Sequence, residues 1–190
     1  MRAIYLLAIT PSPSVENEVL GLKATLGNRI NYYPARHSEP HITIVSVVMD
    51  DSLEYKLLKS LHNIIAQERP ISMTASGIGY FVPSQTIFVG IKEISLFSKL
   101  SRNISKNSII AGFPSKFKCS TYVPHLTIGR NLNYHFNIAR NCFHNYAYEE
   151  TFTATSALLL KRYEGGRFLP VQEFPFSAMP ASQLAMFNMH

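Results

Sequence analysis

Pro40-His41-Ile42-Thr43-Ile44 and Pro124-His125-Leu126-Thr127-Ile128 are one pentapeptide written twice, differing only by Ile against Leu at the middle position. A lone His-x-Thr would carry little weight, since roughly one match is expected by chance in a chain of this composition. The repeated proline and apolar flanks are what chance does not supply. Alternation along a strand puts His41 and Thr43 on one face and Ile42 and Ile44 on the other, and the second copy repeats the pattern. Each strand therefore offers an imidazole beside a hydroxyl. If the copies are related by a pseudo-two-fold axis, two imidazoles and two hydroxyls converge on one pocket suited to a single phosphodiester.

Outward from the motifs, the pattern alternates between strand and helix. Residues 4 to 9 read as a first strand. Ser12-Pro13 then offers a cap and a first helical proline, with Val15, Val19, Leu22 and Leu26 at helical spacing up to Gly27. Residues 40 to 48 read as a β-branched strand. Asp51 and Glu54 look like a capping box opening a helix through Leu57, Leu61 and Ile65, which Arg69-Pro70 ends. Ile71, Met73 and Ala75, then Ile87, Val89 and Ile91, predict a hairpin. A helix over Ile94 to Ile104, a strand over 122 to 130 and a helix capped by Asn133 follow. Phe152, Ala154, Leu158 and Leu160 read as one strand face, and residues 167 to 176 return after Gly165-Gly166 as an edge strand marked by Pro170 and Pro175.

This order is a roughly duplicated unit. It predicts an α+β, bilobal, pseudo-two-fold fold, with two antiparallel sheets flanking a central cleft and helices on the outside. Residues 1 to 176 make one domain, and 177 to 190 a C-terminal tail without a firm pattern.

The 190 residues are 46% hydrophobic and only 16% charged, which excludes a disordered tail and supports a sizeable core. The apolar run at residues 4 to 9 is too short to span a bilayer and lacks a cleavage pattern, so a cytoplasmic protein is expected. Cys119 and Cys142 are read as reduced, partly buried thiols. A net charge of +6 favours a polyanionic partner, although the basic residues are scattered and also fit an ordinary solvated surface.

Cleaving a phosphodiester without metal needs a base for the attacking oxygen and an acid for the departing one, on opposite sides of phosphorus. An imidazole with a pKa near about 6.5 holds either protonation state, and such catalysis contributes roughly a hundred- to ten-thousand-fold. Threonine hydroxyls can donate to the non-bridging oxygens as charge grows there. No nucleophilic side chain and no cofactor is required.

With these motifs the sequence resembles the two-histidine phosphoesterases, and within them the bacterial 2′,5′ RNA ligase or RNA 2′,3′-cyclic phosphodiesterase branch. The stretch Tyr122 to Arg130, the run Gly77-Ile78-Gly79-Tyr80-Phe81 leading to Thr86 to Ile91, and Leu158-Leu159-Leu160 before Gly165-Gly166 carry the likeness. The resemblance implies His41 and His125 as catalytic residues, Thr43 and Thr127 as phosphate ligands, no metal, and an RNA or oligonucleotide substrate. A monomer is expected. Cyclic or oligonucleotide second messengers are the alternative substrates, and a non-catalytic RNA-binding module the alternative function.

Other residues carry two readings. Arg130 falls off the His125 face by alternation but lies at the strand end, and either anchors phosphate or caps a helix or pairs at the surface. Tyr5, Phe81, Tyr122 and Phe168 either pack in the core, the first expectation for large aromatics, or line the cleft and stack on bases. A metal hydrolase built on His37, His41 and His125 is a third hypothesis, which Pro40 disfavours by excluding a helical pair. His62, His135 and His144 are expected to be solvent-facing or satisfied within helices.

Overall fold

The structure, a computed structural model, describes residues 1 to 180. The alternating runs become two antiparallel sheets. One is ordered β5-β2-β1-β8-β9, from β1 (Arg2–Ile9), β2 (Ile42–Asp50), β5 (Lys118–Ser120), β8 (Ser156–Arg162) and β9 (Leu169–Pro175). The other is ordered β6-β4-β3-β7, from β3 (Ile71–Phe81), β4 (Thr86–Ile91), β6 (His125–Gly129) and β7 (Glu149–Ala154). The two motif strands, β2 and β6, thus belong to different sheets, and they approach one another across the cleft.

Helix α1 (Pro13–Ile30) starts as its sequence dictates: the Ser12 hydroxyl accepts from the Val15 amide, and Pro13 occupies the first turn. Its stripe of Val15, Val19, Leu22 and Leu26 is buried, each side chain contributing about 1.5–3 kcal/mol. That stripe lies against β6, so the helix joining β1 to β2 covers the opposite sheet. Helix α5 (Phe136–Phe143) covers the same sheet beside β4. Helices α2 (Glu54–Ile65), α3 (Ile94–Ser105) and the short α4 (Ser108–Ala111) cover the first sheet, α3 against β2 and α2 against β9.

Each motif strand carries a β-bulge at the same place. In the pairing of β1 with β2, Leu7 faces Val45 and Ala8 faces Thr43, which leaves Ile44 as the extra residue. In the pairing of β4 with β6, Ile87 faces Gly129 and Phe88 faces Thr127, which leaves Ile128. The closing isoleucine of both pentapeptides is therefore the bulged one. A bulge shifts the parity of everything after it. In β2 the buried positions are 42 and 44 before it, then 45, 47 and 49 after it.

Several expectations are corrected. The face drawn through Phe152, Ala154, Leu158 and Leu160 is two strands: the chain breaks at Thr155, and β7 and β8 lie in different sheets. The expected pair of antiparallel sheets is present, and each half of the chain supplies strands to both. The capping box does not form. Asp50 accepts from the Ser52 amide instead, Asp51 takes the Met1 amino group at 2.7 Å and the Tyr163 hydroxyl at 2.8 Å, and Glu54 takes the Tyr5 hydroxyl and the Lys161 ammonium, each at 2.7 Å. Asn133 caps nothing; it has φ 51° at the head of a short 3₁₀ turn leading into α5. Strand 122 to 130 shortens to His125–Gly129 because Tyr122 and Val123 leave the sheet, exposed. Cys119 is exposed and Cys142 half-buried, and both are free thiols. The tail starts against α2, where the Ala178 and Met179 amides donate to the Glu68 and Ala66 carbonyls; residues 181 to 190 lie outside the described residues.

Candidate active site

His41 sits immediately before β2 and His125 opens β6, both half-buried. Their rings are held alike. His41 Nδ1 lies 2.8 Å from the Glu39 carbonyl, and His125 Nδ1 lies 2.8 Å from the Val123 carbonyl, in each case two residues upstream. A carbonyl only accepts, so each Nδ1 carries the proton and each Nε2 is left to take or give one. Thr43 and Thr127 are half-buried on the same strand faces, and among the described residues neither hydroxyl has a hydrogen-bond partner. Two imidazoles of fixed tautomer and two uncommitted hydroxyls are the outcome of the repeat.

The surroundings of the two rings differ. His125 packs against Phe81, centroids 5.0 Å apart and edge-on, and against Phe88 at 5.1 Å. The Phe88 ring lies over Gly79, where a Cβ would come within 2.3 Å of it, so glycine there makes room for the ring that backs His125. Burial lowers the pKa of both histidines below the ordinary value by disfavouring the charged form. At His41 the charges of Lys23, Arg130 and His125 lower it further, while the Glu39 carbonyl works the other way. Lys23, Arg130 and His125 are thus the positive charges within electrostatic reach of the His41 ring.

Arg130 follows the bulge of the second motif strand. Because Ile128 bulges, Gly129 turns toward α1, its would-be Cβ 3.1 Å from Leu26 and 3.2 Å from Tyr33, and the exposed Arg130 just past the strand has its charge felt at both His41 and Lys23. Lys23 is the residue the sequence reading passed over. It is 2% exposed, and it could have been found as the one cation in the buried stripe of α1, four residues after Val19 and three before Leu26.

The remaining candidates disperse. Tyr5 is 1% exposed and faces the helices, its hydroxyl donating to Glu54, so it is a core residue away from the cleft. Phe81 does belong to the site, through His125. Tyr122 is 44% exposed at the rim, with Arg102 over its ring at 5.8 Å. Phe168 is stacked under Arg162 at 4.7 Å in the β8–β9 turn. His37, His62 and His144 are exposed, and His135 lies against Tyr134, so none of the four joins the pair. Among the described residues no three His, Cys, Asp or Glu side chains gather as a metal site, which leaves the His37, His41, His125 hypothesis without a ligand set. No helix among them is long and apolar enough to cross a membrane.

Comparison with known proteins points the same way. Residues 11–166 match the model of the 2′-5′ RNA ligase superfamily. A Bacillus thuringiensis protein whose name proposes a phosphoesterase is 25% identical over 130 residues, 67% of this chain and 69% of its own length. The fold is similar to that of Escherichia coli LigT solved with 3′-AMP (TM-score 0.66, 15% identity, 93% of this chain and 99% of that one). It is similar also to TT0787 of Thermus thermophilus (0.68, 14%, 93% and 98%) and to Kluyveromyces marxianus Usb1 (0.56, 14%, 89% and 98%).

Proposed function

The chain belongs to the 2′-5′ RNA ligase superfamily, and from that premise we propose that it is a metal-independent phosphodiesterase acting on RNA 2′,3′-cyclic phosphate ends or 2′,5′-linked oligonucleotides. The observation that carries the reading is the twin tethering of His41 and His125, each Nδ1 on a carbonyl two residues back and each Nε2 free.

On a 2′,3′-cyclic end, the neutral imidazole takes a proton from water as its oxygen bonds to phosphorus. The protonated one gives its proton to the 3′ oxygen as that P–O bond breaks, leaving a 2′-phosphate. On a 2′,5′ linkage the neighbouring 3′ hydroxyl takes the place of water and the 5′ oxygen leaves. Thr43 and Thr127 donate to the non-bridging oxygens, and Arg130 supplies a charge-assisted contact from the end of β6. Phe81 offers a face for a base beside His125. The nucleotide in the LigT complex with 3′-AMP supports a ligand of this class.

The test offers the protein 2′,3′-cyclic nucleotides, 2′,5′- and 3′,5′-linked oligomers and cyclic dinucleotides in parallel, with excess chelator. Turnover of the first two is expected at undiminished rate. Turnover confined to cyclic dinucleotides would move the substrate to signalling nucleotides, and binding without turnover of any of them would overturn the enzyme reading.

A further inference from the structure

We propose that Lys23 is a positioning residue of this site: from α1 it fastens the turn that aims His41, and it holds a positive charge without a counter-ion beneath that turn. The kinetic consequences rest on the reading of His41 as a reacting group, whereas the charge and the tether do not.

Position 23 lies in a stripe of α1 that is otherwise apolar, and its ammonium runs under the loop preceding the first motif. Nζ donates to the Ser38 carbonyl and, at 2.9 Å, to the Ser38 hydroxyl. The Ser38 hydroxyl and amide in turn donate to the Ala35 carbonyl, at 2.9 and 3.2 Å, so the loop closes on the ammonium. The next residue is Glu39, whose carbonyl holds His41 Nδ1. Movement of Ser38 is therefore passed to the His41 ring through one peptide unit.

The second motif has a counterpart without the charge. There Ser98, buried on α3, donates its hydroxyl to the Tyr122 carbonyl at 2.7 Å. Ser38 and Tyr122 each stand three residues before their histidine, and the donor comes each time from the helix that follows the motif strand's sheet neighbour, α1 after β1 and α3 after β4. A neutral hydroxyl suffices to fasten one turn, so fastening alone does not call for a cation in the other.

The cation also lacks a counter-ion. Among the described residues no carboxylate pairs with Lys23; the charge felt at it is that of Arg130, just past β6, and the charges felt at His41 are those of Lys23, Arg130 and His125. Burial, helped by Arg130, pushes the Lys23 ammonium down to about 8. A buried, unpaired cation is costly in the free protein, and an anionic phosphate bound beside His41 would supply the missing charge.

The experiment is an NMR titration of the His41 and His125 side chains in wild type, Lys23→Met and Lys23→Gln, with kcat and KM against pH on a 2′,3′-cyclic nucleotide. Met removes donor and charge; Gln keeps a donor. Because the charge lowers the His41 pKa, its midpoint should rise in both variants, with His125 moving less. The limb of the pH profile that belongs to His41 should move up with it. In Lys23→Met, kcat should also fall by roughly ten- to a hundred-fold as the ring loses its aim, with a smaller change in KM. An unmoved His41 midpoint in the folded variants overturns the proposal. Should neither variant fold, the Cε resonance of Lys23 in the wild type decides: its midpoint should rise on saturation with inorganic phosphate, and an unchanged one counts against the role. A wild type inactive on every phosphodiester would sink the functional reading, yet leave the imidazole titration standing as the test of Lys23.

Discussion

At the scale of single residues, the proposed reaction divides the site into groups assigned to moving protons and groups assigned to receiving charge. Replacing His41 or His125 with Ala should lower kcat on a 2′,3′-cyclic nucleotide by roughly a hundred- to ten-thousand-fold, with thermal melts unchanged within a few degrees. Thr43→Val and Thr127→Val keep the shape and lose the hydroxyl, and steady-state kinetics should show kcat reduced by about a hundred- to a thousand-fold. Both imidazoles are held below their ordinary value by burial, so the bell-shaped kcat/KM profile should peak on the acid side of about pH 6.5. The same depression has a stability consequence. As pH falls, the unfolded chain binds these protons first, so stability drops between the unfolded value near 6.5 and the lower folded ones; urea midpoints against pH should flatten there in the double alanine variant. The histidines and threonines were legible because the pentapeptide repeats. Lys23 was not, because its role depends on Ser38, a residue that only tertiary folding brings beneath it.

At the scale of elements, local pattern foretold where strands and helices lie better than how they face. Ser12-Pro13 capped α1 as read, since a cap is decided by neighbours in sequence. Asp51 and Glu54 went instead to Met1, Tyr163, Tyr5 and Lys161, distant partners that outcompeted the local box. The bulges at Ile44 and Ile128 were invisible because an extra residue leaves no compositional mark, so strict alternation does not carry past either of them. The β3–β4 hairpin yields a prediction of its own. Gly79→Ala would drive a methyl into the Phe88 ring, costing about 1–3 kcal/mol by calorimetry. The displaced ring should disturb the His125 titration and leave that of His41 in place.

At the scale of the molecule, the sheets are interleaved. The first half of the chain contributes β1 and β2 to one sheet and β3 and β4 to the other, the second half completes both, and α1 crosses from the first to cover the second. Near- and far-ultraviolet circular dichroism should therefore report one coincident unfolding transition, and two separated ones would show lobes that stand independently. The doubled pentapeptide invites a picture of ancestral twins, each carrying its own imidazole. With strands exchanged in this way, neither twin could be inherited, expressed or discarded without the other, so a mutation that loosens one sibling is felt by both.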